Sequence, residues 1–249
     1  MNRDLLLKQL KIYEDQFQYF MGIEKFPVYE LQTKEASKST ADYRGFEVAA
    51  SASYQPEIKR HTLLVSTNLT LSKYLIFHEF THILDSEMYV KGDKMRYAGL
   101  FGFTEYHASQ VELVQLLGAN TIEEVPLFSM KTNINVLAGE KSVYQYVDEK
   151  YRHAIGLFSR TDFPADVDTL KSAIGVLYNY FGLRSICEEY SIDYKENINN
   201  EAFLNYIPSQ LFCTLNSLMH GWLDEEKIEL SIKVCINIIY PLIKEFKLA

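Results

Sequence analysis

One ten-residue stretch, Leu75-Ile76-Phe77-His78-Glu79-Phe80-Thr81-His82-Ile83-Leu84, constrains this chain more than any other. Its apolar residues are dense enough to require a largely buried helix, yet it carries two histidines and a glutamate, groups that are costly to bury without partners. A fold that accepts this sequence must cover the helix and also give His78, Glu79 and His82 something to bind. The helix is expected to start from a cap at Thr70 or Ser72 and to run to about Met88.

Histidines four residues apart lie about 40° apart around a helix and one turn apart along it, so both imidazoles can reach one ion. Glu79 points about 100° from His78 and only about 60° from His82, close enough to approach a metal-bound water without ligating the metal. Neutral imidazoles suit zinc, and an open coordination position lowers the pKa of a bound water to about 7. The residues therefore point to Zn2+ as cofactor, His78 and His82 as metal ligands, and Glu79 as the general base that takes a proton from the attacking water and hands it to a leaving group.

The rest of the composition narrows the partners. A net charge of -8 with no Lys/Arg block argues against the basic face that phosphate recognition needs, so no nucleic-acid partner is expected. Lys8, Lys11, Glu14 and Asp15 interrupt the apolar pattern of the first residues, which argues against a secretory signal. Without a run of about 18 apolar residues, no membrane association is expected and the cytoplasm is the default location. Cys187, Cys213 and Cys235 are few and widely spaced, a pattern of reduced thiols serving as small apolar residues.

Along the chain, Leu5, Leu6, Leu10, Tyr13, Phe17 and Phe20 mark an amphipathic helix over 4–20, stopped near Gly22. Residues 22–43 show no period. Phe46 to Ser53 and His61 to Ser66 read as two strands of a hairpin turning at Pro56. A second helix is expected from Thr104 to Leu117, with Gly118 as its stop and a reversing turn at Gly99 and Gly102 before it. The remainder reads as helices over about 135–158, 165–181, 200–219 and 224–247, separated at Pro164, Gly182, Pro208 and Gly221. The loop at 119–134 is the expected boundary between a catalytic α+β part, residues 1–120, and a helical part, residues 121–249.

With an expected strand before it and a helix offering a glutamate after it, His78-Glu79-Phe80-Thr81-His82 resembles the HExxH helix of zincin metallopeptidases, and among them the gluzincins. Glu105-Tyr106-His107-Ala108-Ser109 resembles the ExxA(D/N) helix that supplies the third ligand in CAAX-processing peptidases and, more loosely, in ImmA/IrrE-type bacterial peptidases. The resemblance covers residues 45–118. It implies a zincin-like half with a small sheet packed on the HExxH helix, Glu105 as third metal ligand, and a peptide or protein substrate laid along the small-residue strand Val48–Ser53. Position 109 departs from the pattern: Ser109 stands where the family has an acidic or amide residue that orients a ligand histidine.

Several residues keep alternatives open. Asp85, three residues after His82, is either a histidine-orienting carboxylate or a solvated charge. Glu112 shares a helix face with Glu105, but about 10 Å along the axis separates them, so one ion can hardly take both; Glu105 is preferred over Glu112 and His107. His61, His153, His220, Tyr97, Tyr106 and Tyr151 could each stabilise an oxyanion, and spacing selects none of them. The function expected is a zinc metallopeptidase; the alternatives are a catalytically silent zinc-binding scaffold for protein interaction, or a zinc hydrolase of a small amide.

Overall fold

The computed structural model describes residues 3–35, 49–163, 166–196, 201–205, 207–239 and 241. The expected strand start at Phe46–Val48, the break at Pro164, the helix starts at 165 and 200, and the segment 242–247 lie outside the described residues. Helices dominate and are joined by small sheets, a mixed α and β architecture. The chain divides into two compact units, Met1–Tyr97 with Val111–Pro126, and Ala98–Gln110 with Leu127–Ala249.

In the first unit α1, Arg3–Met21, ends where Gly22 takes a left-handed φ of 65°, a conformation that costs glycine little. Leu6, Leu10, Phe17 and Phe20 are buried, whereas Leu5 is 59% exposed, so the apolar face is narrower than the sequence suggests. Strands β1 (Tyr29–Lys34), β2 (Ala50–Gln55) and β3 (Arg60–Ser66) form a sheet in the order β1-β3-β2. The β2–β3 pair is the expected hairpin, and β1 runs parallel to β3. That strand is a correction to the patternless reading of 22–43: at a sheet edge its residues are only half-buried or exposed, so no clean alternation marks it.

The helix that carries His78, Glu79 and His82, α2, spans Lys73–Asp85, and one wide π turn, Ser86–Val90, carries it on to a left-handed Lys91-Gly92. Its core face, Ile76, Phe77, Phe80, Ile83 and Leu84, is buried. Phe17 meets Phe77 and Phe80 edge-on with centroids 5.1 and 5.5 Å apart, and Phe26 packs 4.7 Å from Phe80. Each such pair adds about 0.5–1.5 kcal/mol beyond the area it buries, and together they fix the rotation of α2 about its axis.

The helix α3 runs unbroken over Lys94–Leu116, ten residues longer at its start than expected. Asp93 caps it, its carboxylate accepting from the backbone N–H groups of Met95 and Arg96. The chain reverses at Lys91-Gly92, and Gly99 and Gly102 lie inside the helix for a different reason. A Cβ on Gly99 would meet Ile232 and Ile236 at 2.8 Å, and one on Gly102 would meet the Tyr178 ring at 2.3 Å. Their small size admits neighbours; they do not make a turn. The first and last turns of α3 belong to the first unit and its middle to the second.

The second unit adds a hairpin of β4 (Asn133–Val136) and β5 (Gly139–Ser142), where a helix start was expected, and then α4 (Val143–Phe158), opened by a capping box between Ser142 and Gln145. Helix α5, Val167–Tyr190, continues past Gly182, the expected stop. A Cβ there would sit 2.2 Å from the backbone oxygen of Tyr106, so the glycine marks a close crossing with the middle of α3. From Thr169 to Cys187 α5 is buried on almost every side, as a central helix must be. The expected helix over 200–219 is two, α6 (Glu201–Leu204) and α7 (Ser209–Leu218), and α8 (Glu225–Val234) ends in a π turn, Cys235–Ile239.

Arg184, fully buried on α5, is held by Glu196, Asn216 and the backbone oxygen of Met219, with its guanidinium 4.7 Å over the Phe181 ring. Among the described residues no helix is long and apolar enough to cross a membrane.

Candidate metal centre

His78 and His82 project from α2 with ring centroids 4.8 Å apart and planes at 81°. Glu105 comes from α3, and one potential ligand atom from each of the three residues falls within 4.8 Å of the others. All three side chains are half-buried. Tetrahedral zinc with bonds of about 2.0–2.2 Å needs ligand atoms about 3.4 Å apart, so small side-chain rotations suffice to close the set. Two imidazoles and a carboxylate are also the donor types zinc takes when a coordination position is kept open. The residues present fit the ion.

His78 has a further partner. Its Nδ1 lies 2.8 Å from Oε2 of Glu112, a residue only 1% exposed. Glu112 entered the sequence reading as a rival ligand; in the fold its carboxylate meets the far side of a histidine ring. Ser109, also buried, donates its hydroxyl to Asn179 Oδ1 at 2.7 Å. Asp85 is fully buried, which removes the solvated-charge alternative for it.

Glu79 is placed by the sheet. The N–H of Ser66 donates to the carbonyl of Ala49, so in this antiparallel ladder residues 51, 53 and 55 turn their backbone groups toward β3, and 50, 52 and 54 turn theirs outward. The outward N–H of Ala52 donates to Glu79 Oε2 at 2.7 Å, and that of Tyr54 donates to the Tyr97 hydroxyl at 3.2 Å. The edge of β2 therefore touches the carboxylate read as the base.

The other sequence candidates have structural engagements. His61 stacks on Tyr54 with centroids 4.4 Å apart and sets its Nε2 2.9 Å from Glu87. Tyr106 is fully buried and donates to the backbone oxygen of Gly221 at 2.6 Å, and burial pushes its phenol pKa up, so it keeps its proton. His107 stacks on Phe103 and meets Trp222 edge-on. Tyr151 packs on Tyr180 and Phe203, His220 holds Glu188 through Nδ1 at 2.7 Å, and His153 is half-buried on α4. Tyr97 alone among the tyrosine candidates sits on the β2 edge, a placement that depends on long-range packing and leaves no mark in spacing.

No protein-family model, curated protein or solved structure matches the chain.

Proposed function

We propose that this chain is a zinc-dependent metallopeptidase of the zincin kind, with His78, His82 and Glu105 as protein ligands and Glu79 as general base. The observation that carries the reading is the convergence of potential ligand atoms from these three half-buried residues, on two helices, to within 4.8 Å. Bound there, zinc would supply Lewis acidity to a scissile carbonyl and to a water beside it. Glu79 accepts the proton of the attacking water and returns it to the leaving nitrogen. A peptide is the substrate class that the resemblance to zincins implies; the outward N–H groups of Ala52 and Tyr54 on β2 are themselves held by Glu79 and the Tyr97 hydroxyl, so that edge positions the base.

Two measurements test this. Protein purified without a metal-affinity tag should carry about one zinc per chain, and His82→Ala should lose most of it; a chain that refuses zinc under all loading conditions ends the proposal. Glu79→Gln should keep both fold and zinc while losing about 10²–10⁴ in turnover. A comparison of new protein termini in cells carrying wild-type or Glu79→Gln protein supplies the substrate, and identical termini in the two would remove the peptidase assignment even with zinc bound.

A further inference from the structure

We infer that Glu112 is the positioning residue for His78, taking over from one helical turn further along α3 the task that the resemblance assigns to position 109. The inference rests on the metal reading above. A carboxylate that is 1% exposed is retained in a fold only with partners, and His78 Nδ1 is set against it at 2.8 Å. With the Glu112 oxygen as acceptor in this contact, the shared proton sits on Nδ1 and the Nε2 lone pair is presented on the far side of the ring. That is the tautomer a ligand needs when its second nitrogen is to bind metal.

The spacing on α3 agrees. Glu105 and Glu112 share a face about 10 Å apart along the axis. A metal about 2 Å beyond Nε2, an imidazole about 2 Å across, and a carboxylate 2.8 Å beyond Nδ1 together span roughly 7 Å. The two glutamates can thus address the two sides of one imidazole from a single helix. Ser109 cannot serve in the same way, since its hydroxyl proton is committed to Asn179 Oδ1 at 2.7 Å.

The test uses the full chain and needs no substrate. Zinc affinity is measured by chelator competition for wild type, Glu112→Ala, Glu112→Gln and Ser109→Ala, and histidine tautomers are read by 15N NMR on metal-free protein. Glu112→Ala should weaken zinc about 10- to 100-fold, while Ser109→Ala stays within about threefold. Glu112→Gln keeps an acceptor oxygen, so it should retain the Nδ1–H tautomer of His78 and lose less affinity than Glu112→Ala. A residue that only fills space would leave the tautomer unchanged when replaced.

Should Glu112→Ala fail to fold, the wild-type tautomer and the Glu112→Gln affinity still decide. A proton on Nε2 of wild-type His78, unaltered affinity in a folded Glu112→Ala, or an equal loss in Ser109→Ala overturns the inference. If the wild-type chain takes up no zinc, the proposed function falls and this inference with it; if wild type and Glu112→Ala bind zinc alike, only the role of Glu112 falls.

Discussion

Among single residues, the ranking of the glutamates on α3 separates a ligand from its support. Glu105→Ala removes a donor from the convergent set, so its loss of zinc affinity should exceed that of Glu112→Ala, for which the 10- to 100-fold range of orienting residues applies. The reverse ranking in chelator competition would make Glu112 the ligand and leave Glu105 as a half-buried charge. Glu79 and Ala52 form a second residue-scale pair. The Ala52 N–H points away from β3, so Ala52→Pro removes the bond to Glu79 without breaking a ladder bond. That variant should fold and keep zinc yet lose at least about tenfold in turnover, because a base adrift by about 1 Å costs roughly that much or more. Full activity in Ala52→Pro would mean that the backbone bond does not position the base.

The elements of the second unit are specified by where glycine is and is not required. Gly182 lies where α5 meets the backbone of Tyr106, and an added Cβ 2.2 Å from a carbonyl oxygen has no flexible neighbour to displace. Gly182→Ala should destabilise by about 1–3 kcal/mol or more, the cost of overpacking. Gly156 is an exposed position of α4, where an added Cβ would meet nothing within 4 Å and φ is not positive. Gly156→Ala should stabilise by about 0.5–1 kcal/mol through helix propensity and reduced freedom of the unfolded chain. Urea denaturation of the two variants reads both signs, and similar midpoints would show that the crossing of α3 and α5 is looser than its geometry.

Across the whole chain, thiol chemistry reports burial in the second unit. Cys187 and Cys235 are buried and Cys213 is exposed. Burial pushes the Cys187 thiol up, and it pushes Cys235 to about 11, so at neutral pH neither offers the thiolate that reacts with a disulfide reagent. The native protein should titrate one fast thiol, rising to three in guanidinium. Three fast thiols without denaturant would contradict the burial of α5 and of the turn after α8.

The sequence by itself determined the parts governed by short-range geometry. His78, Glu79 and His82 have a fixed angular relation because any helix has 3.6 residues per turn, and a buried helix must give such groups partners. The ends of α1 and the β2–β3 hairpin were legible for the same reason, since Gly22 and Pro56 act on their own neighbours. Only the tertiary structure decided what depends on residues far apart in the chain. Gly99, Gly102 and Gly182 read as breaks, because sequence cannot separate a glycine that bends the chain from one that admits Tyr178 or the Tyr106 carbonyl. The parallel strand β1 carried too little buried surface to mark its own pattern. Glu112 looked like a second choice of ligand until the approach of α3 to α2 set its carboxylate against Nδ1 of His78. Helical period shows that it shares a face with Glu105, but whether that carboxylate meets a metal or a ring nitrogen depends on an interhelical distance of a few ångströms, which no local pattern encodes.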